Sequence, residues 1–232
     1  MSILDTGQIA VLPGPELAAA DLFEITVRGK GGHGALPQET VDPIAVAAQL
    51  LNALQLPVSR QTDPLDNAVL SVTRISGGTA HNVIPETVEL WGTVRTFRPE
   101  TREAIRESMA RIAESVTGAF GATADFRWVE GYAAVVNDPH VAAVIAEAAS
   151  AVVGADGVVD IPPIMGGEDF SAYLAKTRGA FVLVGARNEQ AGSTYPHHHP
   201  RFTVDEQALP IGVAVLVRSA LALLEHPPPE GD

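Results

Sequence analysis

No cysteine occurs among the 232 residues. A disulfide framework and any thiolate metal site are therefore excluded within this chain. Basic residues are scarce as well: 15 Lys+Arg stand against 28 Asp+Glu, a formal net charge of −13. That balance argues against a protein that grips nucleic-acid phosphates, so no nucleic-acid partner is expected. A small anionic substrate stays possible, because a few local arginines still form a positive pocket. No apolar stretch reads as approaching the ~20 residues of a membrane span, and no membrane partner is expected. The opening MSILDTGQIAVLPGPELAA has no basic n-region and no long apolar run, and does not read as a signal peptide. A soluble cytoplasmic protein is the default expectation. His-Glu-x-x-His, Gly-x-Ser-x-Gly and the Walker loop are all missing, and no Glu-Glu pair appears.

The length suits one large domain or two small ones, and 46% hydrophobic with 19% charged residues is ordinary soluble composition. FEITVRGK alternates as a half-buried strand does, and the glycine-rich GKGGHGALP follows it. DPIAVAAQLLNALQ reads as a helix with Asp42 as N-cap and Pro43 at its first position. NAVLSVTRI and TVELWGTVRTF are strands joined by the turn-rich GGTAHNVIP. PETREAIRESMARIAESVTGAFG is an amphipathic helix opened by Pro99 and closed near Gly118 or Gly121, and ATADFRWVEGY is a last strand. The order is β-α-β-β-α-β over residues 22–131, a ferredoxin-like split unit with two helices on one sheet face. Its other face or an edge is open to a partner.

After Tyr132 the pattern changes. HVAAVIAEAASAVVG predicts a helix, VVDIPP a short strand, and MGGEDFSAYLAKT a segment that turns helical. Ala180 to Ala186, AFVLVGA, reads as a strand buried on both faces, for which GQIAVLPG supplies a neighbour. DEQALPIGVAVLVRSALALLE predicts a long final helix, and HPPPEGD a frayed tail. The fold class is therefore α/β. Residues 22–131 form the ferredoxin-like domain, and residues 1–21 and 132–232 are parts of a layered α/β domain.

Several residues could carry chemistry, each with a plainer alternative. His197, His198 and His199 alternate in direction along an extended loop, so one of them, rather than all three, suits a single metal; otherwise they are a solvated loop. Gly166 and Gly167 precede Glu168 and Asp169, where open backbone N–H groups suit an anion or substrate; otherwise the acids cap a helix. His33, flanked by glycines, suits carbonyl polarisation or oxyanion stabilisation, or is a surface histidine. Asn82 sits in GGTAHNVIP and could simply cap a turn. Arg95 is either a surface arginine or a bidentate carboxylate clamp.

In order, GKGGHGALP, VDPIAVAAQLLNALQ, VSR, GGTAHNVIP, GTVRTF, MGGEDFS and HHPRF-TVDEQAL resemble the zinc-dependent aminoacylase, hippurate hydrolase and glutamate carboxypeptidase family. The N-acyl-amino-acid amidohydrolases are the nearest branch, and the likeness runs from about Gly7 to about Leu224. The resemblance implies a metal-dependent amidohydrolase or metallopeptidase acting on N-acyl amino acids or small peptides, with a divalent metal, Zn, Mn or Co. It implies that His198 is a metal ligand. It implies that His33 reaches into the active site of a second subunit and steadies the tetrahedral intermediate. Asn82 and Arg95 would contact the substrate or its carboxylate across a homodimer formed by residues 22–131, the dimerisation lid. Gly166, Gly167 and Glu168 would line the pocket, and residues 132–232 would return to a metallohydrolase domain.

In the resembled family the other metal ligands and the general-base glutamate lie in an N-terminal half that this sequence does not contain. The chain is then expected to be one part of a longer or split protein, or a shortened reading frame. By itself it is expected to be inactive on N-acetyl or N-benzoyl amino acids. A non-catalytic dimerisation or binding module is the alternative. RNA binding by the ferredoxin-like sheet is disfavoured by the acidic charge and the lack of stacking aromatics.

Overall fold

A computed structural model describes residues 1–228. In chain order the strands are β1 (Ile9–Ala10), β2 (Gly14–Leu17), β3 (Ala19–Arg28), β4 (Gly32–His33), β5 (Ala68–Gly77), β6 (Val83–Ile84), β7 (Thr87–Thr96), β8 (Thr123–Tyr132), β9 (Val135–Asn137) and β10 (Leu183–Val184). The α-helices are α1 (Pro43–Ala53), α2 (Leu56–Gln61), α3 (Pro99–Ala119), α4 (Pro139–Val153), α5 (Ser171–Leu174) and α6 (Ala208–Glu225). Contacts divide the chain into two compact units. One comprises Leu17–Ala134 with Met165–Glu168; the other comprises Met1–Glu16, Val135–Ile164 and the rest from Asp169.

The first unit is built on four antiparallel strands in the order β5-β7-β3-β8. That order, with α1 and α3 as the crossovers, is the ferredoxin-like split β-α-β arrangement. Alternation decides its faces. Phe23, Ile25 and Val27 of β3 and Val88, Leu90 and Val94 of β7 point to one side and are fully or almost fully buried. Helices α1 and α3 cover that side with Val46, Ala47, Leu50, Ile105, Met109 and Ala113, giving one contiguous core. Asp42 caps α1, accepting from the Ile44 N–H at 2.9 Å, and Pro43 occupies the first turn where a missing N–H costs nothing. At the sheet margin Asp21, 1% exposed, is held by the Arg102 guanidinium of α3 and by the Gly131 N–H at 2.9 Å. The opposite face is polar, with Glu24–Arg127 and Arg28–Asp125 ion pairs and Arg74 stacked over Trp91. LPVSRQ, which had no predicted element, forms α2; Pro57 sits in its first turn, where proline is tolerated.

The second unit has short strands. β1 pairs with β10 and β2 with β9, each pair standing alone. The run Ala180–Ala186, predicted as a strand, is extended and paired only at Leu183–Val184, because its one ladder partner is the two-residue β1. VVDIPP contributes a single bridge, Val158 to Ile9, in place of the expected strand. Helices α4 and α6 pack together around Ile9, Ala149 and Val215, and a second small cluster holds Leu4, Ala10 and Leu183. Asp138 caps α4 through the His140 and Val141 N–H groups. MGGEDFSAYLAKT becomes helical for one turn only, α5.

The final helix requires a correction. α6 has 18 residues and is long and apolar enough to cross a membrane by length and composition alone, although no apolar run of that kind was expected. Only 17% of it is buried. Of HPPPEGD, read as a frayed tail, residues 229–232 lie outside the described residues.

Candidate functional site

The candidate residues of the first unit fall at two ends of its sheet. His33 lies on β4, whose two residues pair with β6 in the register Gly32–Ile84 and His33–Val83. The Gly34 N–H donates to the Asn82 carbonyl at 2.8 Å, and a Cβ at Gly34 would stand 3.1 Å from that oxygen. Glycine at 34 therefore permits the close approach that sets His33 beside Asn82. Both side chains are exposed. The Ala35 N–H donates to His33 Nδ1 at 3.0 Å, so a neutral ring carries its proton on Nε2.

Arg95 sits at the other end. It pairs with Ala20 across β3, whereas Thr87, near the His33 corner, pairs with Arg28. The eight steps along β7 from Thr87 to Arg95 separate the two ends by about 27 Å. Arg95 Nη1 donates to the Val94 carbonyl at 3.1 Å, the Asp21 carbonyl at 3.4 Å and the Thr93 hydroxyl. The Thr93 hydroxyl donates to the same Asp21 carbonyl at 2.8 Å. Thr93 was missed in the sequence; its spacing of two from Arg95 on one strand face was the available signal. Of the Arg95 guanidinium nitrogens, only Nη1 makes hydrogen bonds among the described residues.

Gly166, Gly167 and Glu168 share the Arg95 end. The Ala18 N–H donates to the Gly166 carbonyl at 3.0 Å. A Cβ at Gly167 would stand 2.5 Å from the Cβ of Ala20, the residue paired with Arg95, so only glycine passes here. Glu168 is half-buried. The expected helix behind these glycines is short: α5 begins at Ser171 and has four residues, too few for a dipole that binds an anion.

In the second unit the three histidines separate by contact. His199 stacks on Tyr195 with ring centroids 4.3 Å apart, and Arg201 covers the same tyrosine. His197 meets Phe202 edge-on at 4.9 Å. His198 takes part in neither contact, is exposed, and has the left-handed backbone φ of 65°. It is the one non-glycine residue among those described with positive φ, a costly conformation that recurs at ligand sites. A catalytic zinc needs three protein ligands. Among the described residues no group of three or more His, Asp or Glu side chains could hold a metal. Among the described residues, His198 therefore stands without a second and third donor beside it.

A third polar cluster was not foreseen. Glu16 is fully buried in the second unit, and its Oε2 accepts from Asn137 Nδ2. Asn137 also bonds the Leu12 and Phe181 carbonyls and the Phe181 N–H, at 2.9, 3.3 and 2.8 Å. Burial pushes the Glu16 carboxyl up to about 7, against the opposing pull of Asn137.

Comparison with known proteins gives these positions a context. The peptidase dimerisation domain family model matches residues 20–120. The N-acetylcysteine deacetylase of Bacillus subtilis is 41% identical over 222 residues, covering 96% of this chain and 57% of that protein. Thermostable carboxypeptidase 2 of Saccharolobus solfataricus is 39% identical over 94% of this chain and 54% of its own length. A solved dinuclear metal binding peptidase of the M20 family from Bacillus subtilis is 37% identical with a TM-score of 0.74, over 97% of this chain and 55% of that one. A structure from methicillin-resistant Staphylococcus aureus reaches a TM-score of 0.84 at 31% identity, over 96% and 57%. By these comparisons the chain is similar to members of the M20 peptidase/aminoacylase family, and it spans about half the length of the relatives it matches.

Proposed function

We propose that this chain is the dimer-forming and substrate-positioning portion of a metal-dependent amidohydrolase acting on N-acyl amino acids or small peptides. One observation carries the reading: His33 and Asn82 lie at one end of the four-stranded sheet, and Arg95 with Gly166–Gly167 at the other. Two groups about 27 Å apart do not grip one small substrate. Two copies of the chain remove the difficulty.

The outer side of β5 is unpaired among the described residues, and it is the more adhesive edge. Over ten residues it carries one charge, Arg74, and exposes Ile75 at 52%. The opposite edge, β8, carries Asp125, Arg127 and Glu130, which blunt it. A two-fold axis beside β5 would pair it with its own copy in antiparallel fashion. The Gly77 end of one β5 then lies by the Ala68 end of the other. Ala68 pairs with Thr96, next to Arg95. His33 and Asn82 thus approach Arg95 of the partner subunit.

In that arrangement the roles follow from the chemistry. Arg95, braced by Thr93, holds a substrate carboxylate through its open N–H groups. His33 Nε2–H and the Asn82 amide donate to the amide oxygen as it gains negative charge. Gly166 and Gly167 provide a floor without side chains. His198 would contribute one ligand to a divalent metal, Zn, Mn or Co, which when bound supplies an activated water.

The β5 edge is tested by Ile75→Lys with Thr73→Lys. Sedimentation should show the parent chain at twice its own mass and the double variant at least roughly tenfold weaker in self-association. A parent chain that stays monomeric at high concentration would remove the basis for shared sites.

A further inference from the structure

We infer that Glu16 is a proton-operated latch on the strands through which the chain passes between its two units. With its proton the carboxyl keeps β2 paired with β9. Loss of the proton opens both strands locally, while the rest of the second unit stays folded.

The place of Glu16 along the chain carries the first half of the argument. The chain passes between the units at 16/17, 134/135, 164/165 and 168/169. Glu16 is tied to the first three. It is the last residue before the first passage. β9 begins with Val135, directly after the second, and pairs with β2, the strand that contains Glu16. The Ile164 N–H, just before the third, donates to the Glu16 carbonyl at 2.8 Å.

The surroundings of the carboxyl carry the second half. Glu16 is fully buried, and its Oε1 has no hydrogen-bond partner among the described residues. Its Oε2 shares the Asn137 amide group with the Leu12 and Phe181 carbonyls. Two amide hydrogens thus serve three acceptors. A carboxylate held there lacks the solvation that a buried charge requires. No cation compensates. Asp138, which follows β9, turns to Arg178 at 2.6 Å and caps α4. The adjoining segments also carry Asp160, Glu168, Asp169 and Lys176. Burial, opposed by the bond from Asn137, is what acts on the Glu16 carboxyl and raises it to about 7. Opening β2 returns the group to water and to its ordinary value of 4.5. The closed form therefore binds the proton more tightly than the open form does. The latch is shut below pH 4.5, loosens between 4.5 and 7, and is loosest above 7.

The test is hydrogen exchange on the full chain at pH 5 and pH 8, with each rate corrected for the intrinsic pH dependence of exchange. The Ile164 amide and the Phe181 amide, which donates to Asn137 Oδ1 at 2.8 Å, report the latch. The Gly185 amide, which donates to the Gln8 carbonyl at 2.8 Å, reports the rest of the same unit. Protection at Ile164 and Phe181 should fall roughly 50-fold from pH 5 to pH 8 and stay constant at Gly185. In Glu16→Gln, which keeps the shape and cannot ionise, the fall should shrink below about twofold. Glu16→Met should flatten it equally, which guards against a misfolded glutamine variant. Three results would overturn the inference: constant protection at Ile164 and Phe181 in the parent chain, an equal fall at Gly185, or a fall that survives in both variants.

Discussion

The two units of this chain stand in contrast. The unit around Leu17–Ala134 has ten-residue strands in one sheet and a single contiguous core in which fourteen side chains are buried. The other has strands of two to four residues and two clusters of three buried side chains each, and its longest helix is 17% buried. The same chain thus holds a closed unit with a contiguous core and an open unit whose longest helix leaves an apolar face exposed. The residues proposed to orient a substrate, His33, Asn82 and Arg95, sit on the unit with the contiguous core, while the metal-ligand candidate His198 sits in the unit with the exposed apolar helix face.

Stability measurements are the way to break that contrast. The largest effect is expected in the closed unit. Arg102→Ala leaves Asp21 buried, 1% exposed, without its guanidinium, which should cost about 3–5 kcal/mol in denaturant unfolding. A loss under about 1 kcal/mol would mean that this unit is looser than its core suggests.

In the open unit Glu16 should act in the opposite sense. Its carboxyl is raised from 4.5 to about 7 in the folded state, so the fold binds its proton more tightly than the unfolded chain does. The resulting penalty is absent below pH 4.5, grows between 4.5 and 7, and is complete above 7. Glu16→Gln should therefore stabilise this unit by up to about 3 kcal/mol at pH 8 and by little at pH 4. A pH-independent effect would remove Glu16 as the cause.

The smallest expected change is Asp138→Ala, which deletes the cap of α4 and the 2.6 Å pairing with Arg178. About 1 kcal/mol should be lost, all of it from the open unit. A thermal melt in which both units shift together would show that they unfold as one body.

Much of the closed unit could be read from the sequence because its signals are local. Alternation in FEITVR and TVELWGTV, the Asp42–Pro43 start of α1 and the Pro99 start of α3 each state a local preference that packing reinforces. The site was less legible. His33 and Asn82 meet through a ladder between residues fifty apart, and Arg95 is placed by register across β3. No local pattern encodes either. The three adjacent histidines looked alike until ring contacts occupied two and the backbone turned the third left-handed. In the open unit, Ala180–Ala186 and α6 mislead in different ways. The run Ala180–Ala186 is covered on both faces, its alternate side chains entering the two small clusters, but has a two-residue ladder, while α6 leaves one apolar face exposed.

The shared site is the centre of the account, and the absence of cysteine makes it measurable with single labels. One population carries a donor dye at His81→Cys, next to Asn82, and another an acceptor at Asn67→Cys, next to the Ala68 end of β5; both positions are exposed. Antiparallel pairing of β5 should give strong energy transfer between the mixed populations, and weak transfer when donor and acceptor both occupy position 81 or both occupy position 67. Stronger transfer between like positions, or no transfer in any mixture, would contradict it.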